Sequence, residues 1–250
     1  MNKQAKKRTR CLKGIILAGG TGSRLFPLTK VTNKHLLPVG RKPMIFHPIG
    51  KLTEMGVKDI LIVTGVEHMG DIVSLLGSGK DFNCRFTYKV QDEAGGIAQA
   101  LGLAEDFIGE DLMVVILGDN IFEDDLRPFA EFFKKQKKGA RVLVKEVSDP
   151  ERFGVVELKN KKVVSIEEKP RKPKSNYVIT GIYFYDSEVF KIVRKLKPSA
   201  RGELEVSDVN RHYLRQGSLR YDVLSGWWTD AGTFESIERA TLLAEGKIQL

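Results

Sequence analysis

Cysteine is nearly absent from this chain, with two in 250 residues, Cys11 and Cys84. One lies in a basic N-terminal stretch and one in a predicted strand region, which excludes a disulfide framework and offers no zinc-site spacing. Long apolar runs are also missing. No stretch approaches the roughly 20 residues that span a bilayer, and the opening MNKQAKKRTRCLKG has no apolar signal-peptide core. A cytoplasmic protein with no membrane partner is expected. Two glycine fingerprints are lacking as well. If Gly20 opened a G-x-G-x-x-G, the third glycine would fall at Leu25, and no acidic residue follows near Gly40 to hold a ribose hydroxyl. The nearest approach to G-x-x-x-x-G-K-[ST], Gly79-Lys80, runs into Asp81. A nicotinamide-dependent oxidoreductase is opposed by the first gap and a P-loop by the second.

Positive charge is plentiful, the net charge being +9. The basic residues scatter from Lys3 to Lys247, with concentrations at Lys6 to Arg10, Lys134 to Lys138 and Lys169 to Lys174. They track neither one helix nor an aromatic platform, so no nucleic-acid partner is expected, although the field favours anionic substrates. Hydrophobic content of 42% with 29% charged residues belongs to a globular protein with a full core. We expect a disordered basic tail over 1–12 and one domain over 13–250, whose halves divide near residue 139.

The stretch KGIILAGGTGSRL, Lys13 to Leu25, organises that domain. An apolar run reads as a buried parallel strand and ends in a glycine-rich turn. Gly19, Gly20 and Gly22 remove β-carbons that would keep an anion away from the backbone amides, and Arg24 adds a guanidinium at the same place. An ordinary tight turn would look similar. Pro27, Pro38 and Pro43 then punctuate an irregular segment, followed by a helix from about Met44 to Met55 and the strand Asp59 to Gly65. FTYKV, Phe86 to Val90, is a further strand, and IAQALGLAEDF suits a closely packed helix. LMVVILG, Leu112 to Gly118, is the most apolar run and delivers Asp119-Asn120 at its carboxyl end, where open α/β sheets bind ligands. From Ala140 strand-like segments dominate, then an apolar 3.6 pattern over Glu203 to Gly217 and a last helix with Thr233 as its N-cap. The fold class is α/β: a Rossmann-like doubly wound mixed sheet with an additional small β layer.

Arg24, Lys34, Asp119 and Asp230 are two cations and two carboxylates at strand ends or in loops. Such a set can neutralise phosphates, hold Mg²⁺ and align an attack, as phosphoryl or nucleotidyl transfer requires. Asp119 alone would more often be a turn or cap residue. The acidic run Glu123, Asp124, Asp125 reads as the start of a helix, and Trp227 and Trp228 read as packing around the Asp230 turn.

The pieces LAGGTGSRL, NKHLLPVGRKPMI, YKVQDEAGGIAQAL, VILGDNIF, DPERFGVVEL, IEEKP, PKSNYVITGIYFYD, PSARGELEVSDVN and WWTDAGT cover nearly the whole chain. In these motifs and their order it resembles the sugar-nucleotide pyrophosphorylases, a nucleotidyltransferase family, and within it the thymidylyltransferase branch. The resemblance implies Mg²⁺-dependent attack of glucose 1-phosphate on the α-phosphorus of dTTP, giving dTDP-glucose and pyrophosphate. It implies Arg24 and Lys34 as the catalytic cations and Asp119 and Asp230 as metal ligands. Leu17, Gly19, Gly20, Gly22, Arg24, Lys34, Gln91 and Gly96 would bind the nucleotide, with Gln91 and Gly96 on the thymine edge. Gly154, Glu168, Lys169, Gly181 and Arg201 would bind the sugar phosphate. A homo-oligomer is left open, and His35 stands where other members often carry glutamine.

Overall fold

The computed structural model describes residues 10–248. Most of the expected tail therefore lies outside the described residues. β1 (Leu12–Ala18) begins two residues earlier than the apolar run Gly14 to Ala18 suggests. Leu12 pairs with Leu112, and the Cys11 amide donates to Asp111 Oδ1 at 3.0 Å, so backbone bonds order this end of the strand.

In chain order there follow the short hairpin β2 (Pro38–Val39) and β3 (Lys42–Pro43), α1 (Phe46–Glu54), β4 (Asp59–Gly65), α2 (Met69–Leu76) and β5 (Arg85–Gln91). Next come α3 (Ile97–Gly102), α4 (Glu105–Ile108), β6 (Leu112–Leu117), β7 (Asn120–Phe122) and α5 (Arg127–Gln136). The second half supplies β8 (Ala140–Glu146), β9 (Gly154–Lys159), β10 (Lys162–Glu168), β11 (Tyr177–Tyr185), α6 (Glu188–Val193) and α7 (Val206–Arg215). The chain closes with β12 (Leu219–Val223), β13 (Trp228–Asp230) and α8 (Phe234–Ala244).

One nine-stranded mixed sheet runs β10-β9-β11-β6-β1-β4-β5, with β8 branching from β11 to reach β12. The strands β6, β1, β4 and β5 are parallel, as alternating strands and helices demand. β11 joins β6 antiparallel, so the second half extends the sheet of the first. Two-stranded pieces, β13 on β7 and β2 on β3, lie apart from it.

Alternation along the central strands splits their side chains between two cores. Ile15, Leu17, Leu61, Val63, Met113 and Val115 face α3, α6 and α7. Ile16, Ala18, Ile60, Ile62, Val114 and Ile116 face α1, α2 and α5. Each such side chain contributes about 1.5–3 kcal/mol by leaving water, which is why the parallel strands read as unbroken apolar runs.

Thr233 caps α8, accepting from the Ser236 amide at 3.2 Å while Ser236 Oγ accepts from the Thr233 amide at 2.9 Å. Of the acidic run, only Asp125 serves a helix start, accepting from the Arg127 amide at 2.9 Å. Asp124 instead accepts from the amides of Ser225 at 2.9 Å and Gly226 at 2.8 Å, tying down the loop before β13. Among the described residues no helix is long and apolar enough to cross a membrane.

Candidate active site

The carboxyl end of β6 hands the chain to β7, and the β7–β13 ladder sets Asn120 opposite Asp230. The Ala231 amide donates to the Asp119 carbonyl at 2.7 Å. Asp119 and Asp230 are thereby placed on one cavity, which has a volume of about 370 Å³ and also includes Arg24 and Arg152.

Burial alone would raise the Asp119 carboxyl. The Lys34 ammonium, 2.5 Å from Oδ2, outweighs that and holds it well below the usual carboxylate range, with Asn120 Nδ2 donating to Oδ1 at 3.0 Å. Asp230 goes the other way. Burial and then the negative charge of Asp119 raise its pKa, opposed by Arg152 and Arg24. Arg152 Nη2 lies 3.3 Å from both oxygens of Asp230 while its Nη1 donates to Asp149 at 2.6 Å. A β-carbon on Gly232 would fall 2.8 Å from Arg24 Nη2 and 3.6 Å from Asp230 Oδ2, which places the Arg24 guanidinium against that backbone beside the carboxylate. Two like charges on one wall, each already leaning on a cation, could together hold a divalent ion beside phosphate oxygens. Among the described residues no group of three or more His, Cys, Asp or Glu side chains forms a self-sufficient metal cage.

A second cavity opens on the other side of Asp119. Leu17, Gly19, Gly20, Lys34, Gln91 and Gly96 all line it, so six of the expected nucleotide residues converge. Gly22 does not line it; with φ 61° it starts the 3-10 turn Ser23–Leu25 that carries Arg24. Gln91, at the end of β5, gives both amide hydrogens to the protein, to Gln99 Oε1 at 2.7 Å and the Gly96 carbonyl at 3.2 Å. Its Oε1 lies over Gly19, 2.9 Å from where a β-carbon would stand. Gly96 has φ 95°, and a side chain there would strike the Leu204 carbonyl at 2.6 Å. That close approach sets the loop before α7 against the nucleotide side, where the Leu204 amide donates a hydrogen bond to the Gly95 carbonyl at 2.8 Å.

Of the expected sugar residues, Gly154, Glu168, Lys169 and Gly181 line the first cavity. Arg201 does not. It is held by Glu205, with Nη2 2.9 Å from each carboxylate oxygen, and comes no nearer than 3.6 Å to Glu168 Oε1. Trp228 is buried, packs edge-on against Phe153 at 5.3 Å and donates Nε1 to Asn120 Oδ1 at 2.7 Å, in keeping with a packing role.

With this geometry established, comparison with known proteins decides the family. The family model described as nucleotidyl transferase matches residues 13–246. The chain belongs to the nucleotidyl transferase family. A glucose-1-phosphate thymidylyltransferase of Neisseria meningitidis is 48% identical over 235 residues, covering 92% of this chain and 81% of that protein. The Mycobacterium tuberculosis enzyme of the same name is 43% identical over 230 residues, covering 90% and 80%. Among solved structures, a Bacillus anthracis protein assigned as a glucose-1-phosphate thymidylyltransferase, bound to sucrose, superposes with TM-score 0.91 at 64% identity, covering 96% of this chain and 97% of that one. A UDP-glucose pyrophosphorylase complexed with UDP-glucose shares the fold at TM-score 0.82 and 24% identity.

The first cavity is also lined by side chains to which the motifs gave no role. Arg152, Asn120, Ser207 and Asn210 line the cavity with Asp230. All four sat inside motifs quoted above, Ser207 and Asn210 within PSARGELEVSDVN, where they fall three apart on α7. His35 is fully enclosed, its Nδ1 2.7 Å from Asn33 Oδ1, and burial followed by the Lys34 charge drives its pKa to about 3.

Proposed function

We propose that this nucleotidyl transferase forms dTDP-glucose and pyrophosphate from dTTP and glucose 1-phosphate. The observation that carries the reading is the pair Asp119 and Asp230 on one cavity wall, faced by Arg24 and by Lys34. An oxygen of the sugar phosphate attacks the α-phosphorus, a P–O bond forms, and the bond to the β-phosphate breaks to release pyrophosphate without a covalent enzyme intermediate. Arg24 stabilises charge that develops on the transferring group, the role for which a preorganised guanidinium is suited. Lys34 meets the triphosphate while keeping Asp119 ionised. The two carboxylates suit Mg²⁺, which would add charge neutralisation between the phosphates.

The nucleotide half, 13–139, holds the base and the triphosphate, and the half from 140 onwards holds the sugar. Because both Gln91 hydrogens are taken, its Oε1 is an acceptor for the N3–H of thymine or uracil. Cytosine has no such hydrogen. Lys169 receives the sugar phosphate, and Arg201 joins it by leaving Glu205. Values of kcat/KM for dTTP, UTP, CTP, ATP and GTP with glucose 1-phosphate test the reading. The expected order is dTTP, then UTP, with the other three poor, and Gln91→Ala should blunt that order more than it slows turnover. A preference for ATP or GTP would overturn it.

A further inference from the structure

The sugar-side cavity has a floor whose polarity the reaction scheme leaves unused. Asn210 on α7 is fully buried and lines that cavity. Its Oδ1 accepts from the Tyr185 hydroxyl at 2.6 Å, but its Nδ2 has no hydrogen-bond partner. Tyr185 cannot easily turn away, since its ring is stacked between Tyr183 and Tyr213, at centroid distances of 5.8 Å on both sides. Tyr213 is itself anchored, donating to Asp186 Oδ1 at 2.8 Å. With Tyr185 donating, the Asn210 oxygen is taken and Nδ2 remains an unpaired donor on a side chain that lines the cavity. A buried amide hydrogen without an acceptor is costly, so on the cavity floor Nδ2 favours any oxygen that enters, from water or from a ligand.

The opposite polarity stands on the wall. Glu168 lines the same cavity, and its Oε2 is occupied by the Ser207 hydroxyl at 2.5 Å, so the carboxylate offers acceptors where Asn210 offers a donor. A hydroxyl satisfies both kinds of group, since it gives one hydrogen and has lone pairs to receive another. We infer that Asn210 reads one ring hydroxyl of the hexose by donating Nδ2–H to its oxygen, and that Tyr185 is the positioning residue that orients the amide. This rests on the proposal that the cavity holds a sugar 1-phosphate. The position so read must carry an oxygen with free lone pairs. Fluorine is a weak substitute, while a deoxy carbon or an ammonium leaves Nδ2 unpaired.

The test is kcat/KM for glucose 1-phosphate and its 2-, 3-, 4- and 6-deoxy analogues, with the matching deoxyfluoro compounds, at saturating dTTP. In the wild-type enzyme one position should lose about 10- to 100-fold on deoxygenation and less on fluorination, the scale for leaving a buried donor unpaired. In Asn210→Ala that position's loss should shrink to about threefold or less while the losses at the other positions stay as they were. Tyr185→Phe keeps the ring stack and should shrink the same loss partway, a position-selective change that general loosening of the fold would not give. A loss that stays at its wild-type size in both variants would overturn the role of Asn210. A wild-type enzyme that turns over no hexose 1-phosphate would overturn this role together with the proposed function.

Discussion

Replacing Gly181 with alanine should damage both stability and turnover, and the structure supplies the size of the effect. An added β-carbon would sit 2.5 Å from Asn120 Nδ2 and 2.7 Å from its Cγ and Oδ1. Asn120 has nowhere to go. It is 2% exposed, accepts from the Gly181 amide at 2.9 Å and from Trp228 Nε1 at 2.7 Å, and donates to Asp119 Oδ1 at 3.0 Å. Overpacking costs about 1–3 kcal/mol, and losing two of those buried hydrogen bonds adds about 1 kcal/mol each. The sum, about 3–5 kcal/mol, corresponds in a chain of this size to a fall of roughly 10 °C in Tm. Since Asn120 orients Asp119, kcat should fall at least about tenfold, which needs only about 1.4 kcal/mol at the transition state. Calorimetry and steady-state pyrophosphate release measure the two effects. Gly154→Ala is the comparison: its β-carbon would stand 3.3 Å from Glu168 Oε2, a contact that a small shift relieves. On an Asn120→Ala background, which has already lost the bonds and removed the obstacle, Gly181→Ala should add little. Wild-type Tm and kcat in Gly181→Ala, or fully additive losses in the double variant, would refute the argument.

Arg24→Ala should lower kcat by about 10²–10³-fold with a smaller change in KM, as for one preorganised donor; near-wild-type turnover by the folded variant would remove Arg24 from the chemistry. Asp119→Asn and Asp230→Asn should each suppress turnover, with the double variant little worse than either, and EDTA should abolish wild-type activity. Additive losses, or activity that survives EDTA, would count against a shared metal. His35 makes acid stability a test of its burial. Folded, it stays neutral down to about 3, whereas the unfolded chain protonates it near 6.5, so between those values the unfolded state binds more protons and stability falls as pH falls. The slope approaches ~1.4 kcal/mol per pH unit. Urea denaturation at pH 7 and pH 5 should show a smaller decline in His35→Gln than in wild type, and parallel declines would refute the assignment.

The central strands were legible because a parallel strand buried on both faces must be apolar along its core, as Ile60 to Val63 and Leu112 to Leu117 are. Asp119 could be placed from topology, since a residue leaving such a strand at its carboxyl end has few other places to be. Arg152 was harder. Nothing in local spacing says that an arginine in the turn before β9 will reach across to Asp230, because that meeting depends on where β13 pairs. The same holds for Asn210, the last residue of the motif PSARGELEVSDVN, whose meeting with Tyr185 depends on how α7 packs on the sheet. Arg201 shows the converse: its motif suggested a phosphate ligand, and the neighbouring Glu205, four residues on, takes the charge in the structure.

The ladder between β7 and β13 has a bearing on when activity can arise during synthesis. Trp228 and Asn120, joined by a hydrogen bond across it, are 108 positions apart in the chain. A ribosome releases β1, β4, β5 and β6 first, and their parallel pairings with one another can form before β11, α5, α6 and α7 arrive to cover them. Asp119 thus leaves the ribosome long before Asp230 exists. Until β13 emerges, β7 lacks the strand that pairs with it, Asn120 lacks the Trp228 donor, and only one of the two carboxylates is present. Nascent chains stalled before residue 230 should therefore fold much of the sheet yet release no pyrophosphate, so that triphosphate turnover begins only with the closing of this last long-range contact.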